Sequence, residues 1–95
     1  MQTVRTPAVA GLFYPADAAE LQTQVRGFLD QVEPPVEPPP KAIIVPHAGY
    51  IYSGPIAASA YARLRAAHDT IHPAVLLGPS HRVGFRGIAV SGKER

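Results

Sequence analysis

Apolar and polar positions change period several times along the chain. Leu21, Val25, Phe28, Leu29 and Val32 recur at spacings of four, three, one and three. That places them on one helical face, with Gln22, Gln24, Arg26 and Asp30 largely on the other. Asp17 stands where its carboxylate can cap free backbone N–H groups, and Glu20 follows three residues later, as in a capping box. The pattern predicts a helix from Ala18 to Gln31. Ahead of it, Ala8-Val9-Ala10-Gly11-Leu12-Phe13-Tyr14-Pro15 reads as an extended apolar arm packed on the domain.

The period then disappears. Glu33-Pro34-Pro35-Val36-Glu37-Pro38-Pro39-Pro40 cannot be helix or central strand, because proline fixes φ and removes donors. Residues 33–40 read as a stiff connector, with a docking peptide for an aromatic-lined domain as the lesser alternative. Ala42-Ile43-Ile44-Val45 and Ala74-Val75-Leu76-Leu77 are short continuous apolar runs, the pattern of strands buried on both faces. Between them, Ser53-Gly54-Pro55 reads as a helix start, with Ser53 or Gly54 at the cap and Pro55 in the first turn. Ile56, Ala57, Ala60, Tyr61 and Leu64 supply its apolar face, Arg63 and Arg65 suit its carboxyl end, and the helix runs to Ala67. His68 to Pro73 turns back, and Gly87-Ile88-Ala89-Val90-Ser91 is a third strand candidate.

Strand, helix, strand at these lengths is a βαβ unit with a parallel pair. The expected fold class is therefore α/β, a parallel-sheet βαβ core with helices packed on it. A sheet of two or three such strands keeps open edges and bare apolar faces. The expectation is that residues 1–95 form the amino-terminal part of a larger single domain, or else a small domain completed by oligomerising.

Composition narrows the class. Ninety-five residues suffice for one small domain, and 46% apolar content excludes general disorder. The formal charge of +2 is spread along the chain, so no nucleic-acid partner is read from it. Without cysteine there is neither a disulfide framework nor a thiolate ligand in this sequence. Met1-Gln2-Thr3-Val4-Arg5 lacks an apolar leader core, and no run approaches the roughly 20 apolar residues of a membrane span. A soluble, cytoplasmic protein without a membrane partner is expected.

The chemistry gathers at two loops. His47 follows the first strand candidate in Pro46-His47-Ala48-Gly49-Tyr50-Ile51-Tyr52-Ser53-Gly54, and His81 follows the second in Gly78-Pro79-Ser80-His81. Parallel neighbouring strands would deliver both imidazoles to one carboxyl sheet edge, where open α/β sheets bind ligands. Neutral imidazole is a metal ligand and a general base. A catalytic metal usually takes three protein ligands, and no third is evident; Asp69 and His72 fall near the opposite end of the sheet. Gly49 and Gly54 allow close backbone approach, and Ser53 with the amides of Gly54 to Ala57 would form a helix end able to hold an anion. Tyr50 and Tyr52, in an extended loop, would point together into a pocket for an aromatic ring, or into the core. Ser80 lacks the Gly-x-Ser-x-Gly elbow of an activated nucleophile. Arg82 is an anion contact or a solvated charge.

These strings, with Pro7-Ala8-Val9-Ala10-Gly11-Leu12-Phe13-Tyr14-Pro15 ahead of the first helix, resemble the Memo family, whose bacterial members are called AmmeMemoRadiSam system protein B. The resemblance covers essentially the whole chain but only the first part of longer family members. It implies a fold akin to class III extradiol dioxygenases, with a metal at the sheet edge. It matches His47 and His81 to two metal-ligand positions. The family's third ligand, usually cysteine, lies far downstream with a further histidine and acidic pocket residues, so this chain alone carries no complete site. The implied cofactor is iron or copper, or zinc. The implied activity is metal-dependent redox or dioxygenase-like chemistry at His47 and His81, with Tyr50, Tyr52, Ser53 and Gly54 shaping the substrate side. The alternative is a non-catalytic module holding an anionic or phosphorylated, phosphotyrosine-type ligand in the same cleft. Metal-free acid–base hydrolysis by either histidine ranks last. Expected partners are a small anionic or aromatic substrate or a phosphopeptide, radical-SAM and AMMECR-type system proteins by resemblance, and a second copy if the chain oligomerises.

Overall fold

A computed structural model describes residues 4–92. Met1-Gln2-Thr3, on which the reading of the chain start partly rests, and the terminal Lys93-Glu94-Arg95 lie outside the described residues. Among the described residues two α-helices form, α1 (Ala18–Asp30) and α2 (Tyr50–Tyr61), and a 3-10 segment, Ala62–Ala67, continues α2. The chain divides into two compact units, one of residues 8–72 and one of the described residues 4–7 and 73–92. Among the described residues no helix is long and apolar enough to cross a membrane.

The first helix forms where the periodicity places it. Asp17 sits at the N-cap with extended backbone, and its Oδ2 accepts the Glu20 N–H at 2.9 Å. Glu20 in the first turn also complements the positive end of the helix. Leu21, Val25, Phe28 and Leu29, together with Gln24, are the half-buried positions, one face at the 3.6-residue period. Gln31 is the C-cap, so the helix closes one residue before the expected end.

The segment before α1 departs from its expected extended form. The Leu12 and Phe13 N–H groups both donate to the Val9 carbonyl at 3.0 Å, and Gly11 N–H donates to the Tyr14 carbonyl at 2.7 Å. Gly11 adopts φ +82°, a conformation that costs an L side chain. The arm therefore doubles back, with Ala10 and Tyr14 bridged.

The second helix starts earlier than its local signals suggest. Gly49, not Ser53 or Gly54, is the N-cap, and Pro55 lies inside the helix instead of in its first turn. The reason is a tertiary cap. Tyr50 N–H donates to the Phe13 carbonyl at 2.8 Å, while the Gly49 carbonyl accepts from Tyr52 and Ser53 at 2.9 Å each. A backbone acceptor from the doubled-back arm thus extends the helix by a turn. The cost is the hydrogen bond that Pro55 cannot donate to the Ile51 carbonyl.

Small residues let α2 meet α1. A Cβ on Gly54 would lie 2.4 Å from Phe28 Cε2, and Ala58 and Ala62, one and two turns on, are buried. After α2, the Arg63 guanidinium pairs with Glu37, and Arg65 pairs with Asp30 at 2.9 Å. These pairs are largely solvent-exposed and contribute at most about 1 kcal/mol each. The Arg63–Glu37 pair ties the proline-rich connector to the 3-10 segment. The connector runs beside that segment, and a cavity of about 320 Å³ opens between Leu29, Val32, Pro34, Pro39, Ala62 and Ala66. Thr70 Oγ1 and the Thr70 and Ile71 N–H groups all donate to the Ala67 carbonyl at 3.0 Å, closing the helical run.

The strand candidates carry no ladder among the described residues. In 42–45, Ile43 and Val45 are half-buried while Ala42 and Ile44 are exposed, a period of two without a sheet partner.

Candidate functional site

His47 occupies the short loop between Val45 and α2, and its residue surface is exposed. The loop is held just after it. Ser53, 5% exposed, turns its Oγ back to accept the Ala48 N–H at 2.9 Å. Two residues further, the Phe13 carbonyl takes the Tyr50 N–H. The backbone from Ala48 to Tyr50 is thus tied to a buried hydroxyl and to the arm, and the imidazole is carried on a braced loop.

This arrangement corrects the expected anion-binding helix end. Ser53 is not the cap, and the amides of Gly54, Ile56 and Ala57 belong to the interior of α2. The Phe13 carbonyl, an acceptor, lies over the true amino end. Gly54 uses its missing Cβ to admit the Phe28 ring.

The paired tyrosines are also corrected in geometry. Both lie in the first turn of a helix, where residues two apart point to nearly opposite sides. Tyr50 is half-buried, its ring 5.7 Å from that of Tyr14 at 40°, whereas Tyr52 is 79% exposed. Tyr50 and Tyr14 line a shallow concavity of about 210 Å³ with Leu12, Phe13, Gln24 and Ile51. Gln24 Oε1 is buried there without a hydrogen-bond partner.

His81 lies in the other unit, where every described residue from 73 to 92 is exposed. Ser80 Oγ donates to the Val83 carbonyl at 2.5 Å, which closes a turn around His81 and Arg82. A hydroxyl so engaged serves the loop, in keeping with the absence of a nucleophile elbow. Asp69 lies 3.0 Å from His68 in the turn after the 3-10 segment.

Two imidazoles are donors of the class that iron, copper and zinc accept. Among the described residues no group of three or more His, Cys, Asp or Glu side chains is gathered. Two such side chains are fewer than the three protein ligands that a catalytic metal usually takes. Sequence reasoning missed Phe13 and Tyr14 as supports of the His47 loop. Phe13 acts through a backbone carbonyl, which no side-chain pattern reports. Tyr14 could have been found from its place in the aromatic Phe13-Tyr14-Pro15 string.

Comparison with known proteins adds a second line. A family model described as Memo-like protein matches residues 5–95. A MEMO1 family protein of Aquifex aeolicus is 50% identical over 78 residues, covering 82% of this chain and 27% of the relative. One from Sulfolobus acidocaldarius is 43% identical over 91 residues, with 82% and 31% covered. One from Methanococcus maripaludis is 40% identical over 93 residues, with 90% and 33% covered. The chain thus spans about a third of the length of the curated relatives it matches. No solved structure matches it.

Proposed function

The chain belongs to the Memo-like family, and from that premise we propose that it contributes His47 and His81 as two ligands of a metal site with redox or dioxygenase-like chemistry. The observation that carries this reading is the braced loop at His47. A ligand histidine must be presented outward on a backbone that does not yield when the metal pulls, and outer hydrogen bonds commonly provide that stiffness. The Ser53 hydroxyl and the Phe13 carbonyl do so on the side of His47 that leads into α2.

Iron or copper held there would supply one-electron and oxygen chemistry, whereas zinc would only polarise a ligand. The residues of this chain do the positioning. His47 presents a ring nitrogen from the loop before α2. Tyr50, its ring packed at a tilt against Tyr14, anchors the first turn of α2, which follows the His47 loop. His81 presents the second nitrogen from a turn closed by Ser80. The remaining donors come from the part of a Memo-like protein that this chain does not match.

The test uses a chimera in which residues 1–95 precede the unmatched portion of the Aquifex aeolicus relative. Metal per chain is measured after anaerobic loading with iron(II) and, separately, with copper and zinc. The expected result is near-stoichiometric metal in the parent and loss of most of it in His47→Ala and in His81→Ala. Equal, low metal in all three proteins overturns the reading.

A further inference from the structure

The proline-rich connector does not close down on the helices. It leaves the cavity of about 320 Å³, with Leu29, Val32, Ala62 and Ala66 on the helical side and Pro34 and Pro39 on its own. That volume falls at the lower end of small-molecule pockets, roughly 300–1,000 Å³, and apolar walls with a few polar groups are their usual make-up. The polar lining is Glu33, Glu37, Arg63 and Arg65. Glu37 is paired with Arg63 Nη2, and Asp30 with Arg65. Arg63 Nε is buried with no hydrogen-bond partner. A buried donor without an acceptor is costly and uncommon in a native fold. No lining residue belongs to the His47 loop.

We propose that this cavity binds a small uncharged molecule with an apolar body and one carbonyl oxygen, and that the oxygen accepts the Arg63 Nε–H. The other ligand classes fit less well. A hydrocarbon fills the apolar walls and leaves that N–H without an acceptor. With Asp30 on Arg65 and Glu37 on Arg63, the Glu33 carboxylate is left over, so an anion meets surroundings that already hold an excess negative charge. A cation brings no acceptor for the guanidinium. A neutral amide, lactam or ketone meets both needs. Residues 33–39 are exposed and carry neither helix nor strand, so the connector can yield as the oxygen reaches Nε. The Arg63–Glu37 pair, being partly exposed, opposes that movement only weakly. The proposal does not depend on the metal reading.

The test follows the backbone amide NMR shifts of the isotope-labelled 95-residue chain as cyclohexanecarboxamide is added. Saturable shifts are expected at the amides around Val32 to Glu37 and Ala62 to Ala66. Cyclohexanecarboxylate and cyclohexylmethylammonium, which share the ring, should bind about tenfold more weakly. Arg63→Lys keeps a cation for Glu37 and loses the Nε–H, so it should weaken the carboxamide about tenfold and leave the ammonium probe unchanged. Ala66→Phe, at an exposed lining position, fills the cavity and should abolish the shifts. This second variant tests the site even where Arg63→Lys loosens the connector. Any of four results overturns the proposal: no saturable shifts, or shifts scattered over the surface; a carboxamide that binds no better than either charged analogue; undiminished carboxamide affinity in Arg63→Lys; or undiminished affinity in Ala66→Phe.

Discussion

Gly54 of α2 and Phe28 of α1 approach so closely that a methyl group on Gly54 would sit 2.4 Å from Phe28 Cε2 and 2.7 Å from Cζ. This contact sets the distance between the two helices of unit 8–72. It also explains why glycine is kept inside α2 despite its entropic cost there.

Gly54→Ala is therefore expected to destabilise the unit by about 1–3 kcal/mol, the usual effect of overpacking. Gly27 in α1 is the control, because a Cβ there meets nothing within 4 Å. Gly27→Ala should stabilise by roughly 0.5–1 kcal/mol through helix propensity alone. Denaturant midpoints of the two variants check both signs. Equal shifts would mean that the Phe28 ring simply moves aside.

Ser53→Ala removes the acceptor of the Ala48 N–H. The expected loss is about 1 kcal/mol. Its local signature is faster exchange of the Ala48 amide by about fivefold, the same free energy expressed as an opening equilibrium. If that amide is unaffected while stability falls, Ser53 contributes by packing and the bracing of the His47 loop is wrong.

Gly11 holds φ +82°, so Gly11→Ala should cost about 1–2 kcal/mol, with Gly11→Asn costing less. The turn it makes aims the Phe13 carbonyl at Tyr50. Loss of protection at the Tyr50 amide, read by exchange or by its NMR shift, should accompany the destabilisation. An unchanged Tyr50 amide would separate the turn from the helix start.

What the sequence made legible was local. The Asp17 cap and the apolar stripe from Leu21 to Leu29 act within a few residues of each other, and α1 appears where they predict it. The start of α2 was misread because Ser53 and Pro55 are good local start signals, whereas the deciding cap is a carbonyl from Phe13, far earlier in the chain. The same misreading put Tyr50 and Tyr52 on one side of a loop that is in fact helical. His47 stood out because proline and glycine bracket it. The brace behind it did not, because Ser53 reads equally well as a helix cap, and only the fold shows that its partner is the Ala48 N–H. The sheet expected around 42–45, 74–77 and 87–91 follows from continuous apolar runs, which state a need for burial without naming the neighbour that meets it.

The hydrogen bond from Tyr50 to Phe13 makes the front of the chain a clasp on the loop that bears His47. Shortening the protein from its amino end should become costly once it reaches the turn that starts at Val9. Trimming through Phe13 would remove the acceptor of the Tyr50 N–H and unlatch the loop that carries His47. Expression designs for Memo-like proteins should therefore place tags ahead of this turn and leave the turn itself intact.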